Sequence, residues 1–274
     1  MRKRGTSGRK RVRRADVARL RALVLRGVGI AGLGLSQMLG LVCMAGAQAP
    51  QAGGARAVVV LDAAHGGTDG GATLLAAEGY GLDGQGSVSE KTVTLALVQQ
   101  LRSLLGARGF AVVMTRTGDA AVDADARATT ANHAGAMACL SLHATETGSG
   151  VHLFVSSVGA TSGALLMPWK TAQSAYVTRS LKLASELNDA LAGSGNADDA
   201  GGAIPVTLGR TTLPGIDSMT CPAIAVELAP LLDAKGKIVS EVTASDYQRR
   251  VVGALAAGLL AWRGDSESGG GNPR

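Results

Sequence analysis

"AVVVLDAAHGGTDGGA" (residues 57–72) begins as a strand and ends as a loop holding one histidine. The run through Leu61 is apolar and β-branched without alternation, the pattern of a short strand buried on both faces. Asp62 closes it, and His65 then sits among alanines and glycines, where backbone can approach closely and a ligand can fit.

The rest of the chain repeats that alternation of strand and helix. "SEKTVTLALVQQLRSLLGARG" (89–109) predicts a helix, with Ser89 as N-cap, Val93, Leu97, Leu101 and Leu104 on one face, and Gly109 as a left-handed stop. "FAVVMT" predicts a strand, "DARATTANHAGA" a helix, and "MACLSLHA" and "GVHLFVSS" two further strands. After a loop around 156–171 that holds Trp169 come the helix "SAYVTRSLKLASELNDALAG", a glycine-rich loop, the strand "PAIAVELAP" and a last amphipathic helix, "ASDYQRRVVGALAAGLLAWR". Strands alternating with helices of this length predict a single α/β domain over 57–264, a twisted, mostly parallel sheet with helices on both faces. The glycine-rich span 73–88 is expected to be a flexible loop and 265–274 a disordered tail.

Charge and hydropathy divide the chain near residue 50. Of 27 basic and 21 acidic residues, eleven and one fall within 1–49, which leaves 16 against 20, a balance of −4, for the remainder. That distribution argues against nucleic acid as a partner. A basic start ("MRKRGTSGRKRVRR"), an apolar run from about Val28 and a small-residue exit ("CMAGAQAP") predict a signal peptide over 1–49. Residues 50–56 then form a short linker. Export to the periplasm or cell envelope is expected, with membrane attachment only through an uncleaved leader. Cys139 and Cys221 are too few for a disulfide framework and are read as buried thiols, although an exported compartment permits a bridge.

Four polar residues occupy chemically suggestive places. His65 and His143 follow or end strands, Glu227 sits at the end of "AIAV", and Glu90 starts a helix. Ligand sites of open α/β sheets gather at the carboxyl ends of strands, so these residues are expected to converge. Two histidines and a carboxylate form a common catalytic zinc set, with one further position for water. On this reading His65, Glu90 and His143 bind one Zn2+ per chain and Glu227 is the general base of a metal-assisted hydrolysis. The competing readings are ordinary: Glu90 as a helix-dipole acid, His143 as a satisfied strand-end histidine. His133, in a helix, and His152, alternating into a later strand, are expected to have surface or packing roles.

The segments 59–72, 89–119, 127–144 ("RATTANHAGAMACLSLHA") and 222–230, in this order, resemble the zinc-dependent N-acetylmuramoyl-L-alanine amidases of amidase family 3. The similarity covers most of 57–262. It implies an enzyme that cuts the amide between N-acetylmuramic acid and the L-alanine of peptidoglycan stem peptides. The family's zinc ligands fall on His65, Glu90 and His143 and its catalytic glutamate on Glu227. Asp69, Arg116, Arg127 and Asn132 match motif positions to which we give structural roles in turns, strand ends and helix contacts. Ala63-Ala64 stands where the family has Pro-Gly, Ala144-Thr145 where it has a small residue and Asn, and Leu228-Ala229-Pro230-Leu231 where it has an apolar residue, Gly, Phe and a nearby Asn. The alternatives are a catalytically inactive peptidoglycan-binding or regulatory protein on the same fold, and a zinc peptidase or deacetylase. Some relatives carry a blocking helix near the loop at 156–171 that a protein activator relieves; no such helix is identifiable in this sequence. Tyr80 and Trp169 are the only loop aromatics worth testing as sugar contacts, and simple packing is expected for both.

Overall fold

The computed structural model describes residues 56–77, 86–160, 168–194 and 203–268. The expected signal peptide, Tyr80 and most of the expected linker and tail lie outside the described residues. In chain order the elements are β1 (Val58–Ala63), β2 (Thr73–Leu75), β3 (Ser87–Ser89), α1 (Glu90–Ala107), β4 (Ala111–Met114), α2 (Ala124–His133), β5 (Ala138–Ala144) and β6 (Val151–Ser156). There follow α3 (Val177–Ala192), β7 (Val206–Thr211), β8 (Ala223–Leu228), β9 (Leu231–Leu232), β10 (Ile238–Ser240) and α4 (Ser245–Ser268), with 3-10 segments at Trp169–Ala175 and Ile216–Ser218. Among the described residues no helix is long and apolar enough to cross a membrane.

The main sheet has the order β4-β1-β5-β8-β6-β7. Its first four strands are parallel; β6 runs antiparallel to β8, and β7 follows β6 in parallel. Successive side chains of a strand point to opposite faces, and the two faces carry separate cores. Val59, Leu61, Leu140, Leu142, Leu153 and Val226 meet α1, α3 and α4 on one face. Val60, Cys139, Ala223 and Ala225 meet α2 and the turn at Ile216–Ser218 on the other. A mostly parallel sheet with helices on both sides is the architecture the alternating sequence predicts.

The helix over 89–109 forms with Val93, Leu97 and Leu101 buried, and Leu105 rather than Leu104 takes the innermost place. Each such leucine stabilises the layer by about 1.5–3 kcal/mol. Gly109 takes the expected left-handed conformation, φ 85°. Ser89 stands at the cap position, but its hydroxyl pairs with Thr92 Oγ1 at 3.0 Å rather than with a backbone amide.

Several expectations are corrected. The ends of the glycine-rich span are not a loop: Leu74 pairs with Val88 and Leu75 with Ser87 in a two-stranded ribbon, because Leu74 can bury itself fully against the core. The last helix extends through Ser268 into the expected tail, held where Lys182 pairs with Asp265 at 2.9 Å and Ser266 donates to Trp262 O. β7 is a further strand that the sequence pattern does not announce. Cys139 and Cys221 form a disulfide rather than two buried thiols. β5 pairs with β8, Cys139 lies opposite Ala223, and the two cysteine Cα atoms come within 6.2 Å, inside bridging range.

Candidate active site

β1, β5 and β8 are parallel, so their carboxyl ends share one edge of the sheet, where sites of such folds form. β1 delivers His65 there. The histidine has φ 61°, the one non-glycine residue with positive φ among the described residues, a conformation that costs on the order of 1 kcal/mol or more. Two arginines hold the backbone in place. Arg116 donates to Ala63 O and Ala64 O, and Arg127 to Ala63 O and His65 O. Arg116 is buried, and Asn132 spans Ser218 O and the Thr220 amide, so these motif residues have the structural roles expected of them.

The bareness of the histidine loop has a steric cause. A Cβ on Gly71 would lie 2.6 Å from both Glu90 Oε2 and His65 Cδ2, and its φ of 65° disfavours side chains as well. The loop carries no side chain there because the chain doubles back against two functional groups.

Glu90 lies at the centre. Its Oε2 is 3.1 Å from His65 Nε2 and its Oε1 is 3.2 Å from His143 Nδ1, while the amides of Ala72 and Ala144 donate to the two oxygens. One donor atom from each of His65, Glu90 and His143 falls within 4.8 Å of the others. Burial works against the Glu90 carboxylate, but hydrogen bonds from His143 and from the amides of Ala72 and Ala144, with the nearby charge of His65, outweigh it and hold its pKa below the usual value. The first helical residue is therefore more than a helix-dipole acid.

The remaining nitrogens are also engaged. Asp69 Oδ2 sits 2.8 Å from His65 Nδ1, and the hydrogen bond from that histidine, then one from the Gly71 amide, lowers the Asp69 pKa. His143 Nε2 lies 3.4 Å from Ser141 Oγ, which donates to Asp62 Oδ2 at 2.6 Å; Thr115 and Arg127 donate to the other Asp62 oxygen. Asp69 thus does more than shape a turn, and neither Asp62 nor Ser141 was singled out from sequence. The detectable signal was the acid at the end of an otherwise apolar run, since a buried carboxylate needs partners.

Glu227 lies in β8 directly opposite His143 in β5, and His152 Nδ1 is 3.0 Å from its Oε2. His152 was expected to have a surface or packing role; the structure pairs it with the candidate base instead. His133 is exposed at the end of α2 and is not a member of the donor cluster, and Trp169 is 47% exposed.

Fold and site together define an α/β catalytic domain with a His–Glu–His donor set and a second glutamate at its strand-end edge. The chain belongs to the N-acetylmuramoyl-L-alanine amidase family, amidase family 3, whose profile matches residues 59–261. Its reaction is hydrolysis of the amide between N-acetylmuramic acid and L-alanine in peptidoglycan. The fold is similar to that of the catalytic domain of CwlV, an N-acetylmuramoyl-L-alanine amidase from Bacillus (Paenibacillus) polymyxa var. colistinus. That match has a TM-score of 0.54 and 23% identity, covering 76% of this chain and 98% of that one. It is also similar to the amidase Ami1 from Mycobacterium smegmatis (TM-score 0.53, 21% identity, 76% and 97% covered). A third similar structure is the amidase from Clostridium difficile 630 (0.52, 18%, 76% and 97%). No curated protein matches the chain.

Proposed function

We propose that His65, Glu90 and His143 hold one zinc ion and that Glu227 is the general base of the amidase. The observation that carries this is the convergence of three donor atoms within 4.8 Å at the strand-end edge. The donor set suits zinc: two imidazoles and a carboxylate, with Asp69 on the far nitrogen of His65, a contact that fixes the ring orientation of a ligating histidine. A carboxylate 5% exposed between two imidazoles also calls for positive charge.

Bound there, zinc would supply Lewis acidity to water and to the scissile carbonyl. Glu227 takes a proton from the attacking water as its oxygen adds to the lactyl carbonyl carbon. The same carboxyl then gives that proton to the alanine nitrogen as the carbon–nitrogen bond breaks. The products are a lactyl carboxylate on the glycan and a stem peptide with a free amino terminus. The altered positions still supply backbone groups this reading uses: the carbonyls of Ala63 and Ala64 accept from Arg116, and the Ala144 amide donates to Glu90.

The leader at 1–49 and the bridge between Cys139 and Cys221 support export to the periplasm or cell envelope, where disulfides persist. Metal analysis and muropeptide digestion test the whole reading. Purified protein should carry about one zinc per chain and lose it in His65→Ala. Glu227→Gln should keep the metal while releasing stem peptide about 10²–10⁴-fold more slowly. Full activity in Glu227→Gln, or metal retained by His65→Ala, would sink the corresponding assignment.

A further inference from the structure

Three side chains stand in a row across the active edge. His143 in β5 pairs with Glu227 in β8, and Glu227 pairs in turn with His152 in β6. Directly paired residues share a face of the sheet, with strands about 4.8 Å apart. Glu227 is therefore flanked by a member of the donor cluster on one side and by His152 on the other. Its Oε2 lies 3.0 Å from His152 Nδ1. Among the described residues no other side chain makes a hydrogen bond to Glu227, so Oε1 remains available.

His152 is held more firmly than the group it touches. Its side chain is 14% exposed against 32% for Glu227. Gly148, with φ 88°, lies so close that a Cβ there would fall 2.4 Å from His152 Cε1 and 2.6 Å from Nε2. The loop backbone thus lies against the far edge of the ring. Phe154 meets the ring edge-on, with centroids 6.2 Å apart. The imidazole has one polar contact on its inner nitrogen and packing on its outer edge.

We propose that His152 is a positioning residue for the base. Its Nδ1–H donates to Glu227 Oε2, fixes the carboxylate against the sheet, and leaves Oε1 to take the proton from water and return it to the leaving nitrogen. The inference rests on the reading of Glu227 as base. A rotatable carboxylate at an open edge samples orientations in which neither oxygen faces the water, and misplacement of a reacting group by about 1 Å can cost on the order of 10²-fold. The contact affects proton transfer, not substrate capture, so its loss should fall on kcat.

The test is steady-state hydrolysis of a purified muropeptide by the full protein, with bound metal measured in parallel. His152→Leu should lower kcat about 10–100-fold, with KM within about twofold and metal content unchanged. His152→Asn, whose amide N–H can replace Nδ1–H, should recover kcat to within about fivefold of wild type. Placed on Glu227→Gln, His152→Leu should slow the residual reaction by less than about twofold, because groups that act through one another are not additive. His152→Ala gives the same comparison should the leucine variant not fold.

Wild-type kcat in His152→Leu overturns the proposal. So does an asparagine variant as slow as the leucine one, which would reduce the ring to packing, or an equal loss in the Glu227→Gln background. Failure of the base reading looks different: Glu227→Gln itself would turn over normally, whatever the substitutions at His152 do.

Discussion

Asp69 does two jobs with one carboxylate. Oδ2 holds His65 Nδ1, which leaves Nε2 toward Glu90, and Oδ1 accepts the Gly71 amide at 3.1 Å, which keeps the loop folded against both groups. Partners of this kind typically contribute a factor of about 10–100 in metal affinity. Asp69→Ala should therefore leave the protein folded but weaken zinc retention by about that factor, read by competition with a chromogenic chelator. Unchanged retention would mean that the strained backbone at His65, clamped by Arg127, orients the ring unaided. At this scale the sequence was informative about groups whose surroundings were chemically odd. His65 stood among glycines, and Glu227 stood inside an apolar strand. His152 was not legible, since histidine followed by alternating apolar residues reads equally well as an ordinary strand position.

The reason His152 reaches the site lies one level up, in strand direction. Parallel strands bring their ends to the active edge, and an antiparallel strand brings its beginning. β6 begins at Val151, so its second residue faces Glu227. The sequence does hold the cue. The connection 145–150 is too short for a parallel crossover, which needs about a dozen residues or more, so the strand after β5 has to turn back. β7 is hard to read from the sequence for another reason. It is an edge strand with a mostly exposed pattern, a glycine at 209 and threonines where apolar residues would announce a core strand. Helix packing carries its own constraint. A Cβ on Gly258 of α4 would lie 2.9 Å from Leu187 Cδ2 and 3.0 Å from the Glu186 carbonyl oxygen of α3, and Leu187 is fully buried. Replacing glycine in a helix normally helps by up to about 1 kcal/mol, but overpacking of a filled interface costs about 1–3 kcal/mol. Gly258→Val should accordingly lower the free energy of unfolding by about 1–3 kcal/mol in urea, without change in metal content if the proposed zinc site is independent of this helix contact. A neutral result would show that α3 and α4 slide apart easily.

For the molecule as a whole, the bridge sets a distance between stability and catalysis. Cys139 is the second residue of β5 and Cys221 precedes β8, so the disulfide joins the beginnings of two neighbouring parallel strands. The candidate site lies at their ends, on His143 and Glu227. The bridge is packed among Val60, Ala128, Met219 and Ala223 on the α2 face, and Pro222 O accepts the Cys139 amide beside it. The sulfurs therefore have no part in the chemistry, and what they contribute is constraint on the unfolded chain across a separation of 82 residues. A crosslink of that kind contributes about 2–4 kcal/mol. Reduction, or Cys139→Ala with Cys221→Ala, should lower the unfolding free energy by about that amount. Well below the melting temperature, kcat on a muropeptide should stay within about twofold of wild type, as expected for independent sites. Urea titration of oxidised and reduced protein checks the first claim, and thiol alkylation after unfolding without reductant checks whether the bridge is there to be lost, since both cysteines are buried in the folded chain. Thiols at Cys139 and Cys221 that react once freshly purified protein is unfolded without reductant would restore the buried-thiol reading. A large fall in kcat on reduction would instead mean that constraint at the start of β5 and β8 is transmitted along both strands to the row at their ends.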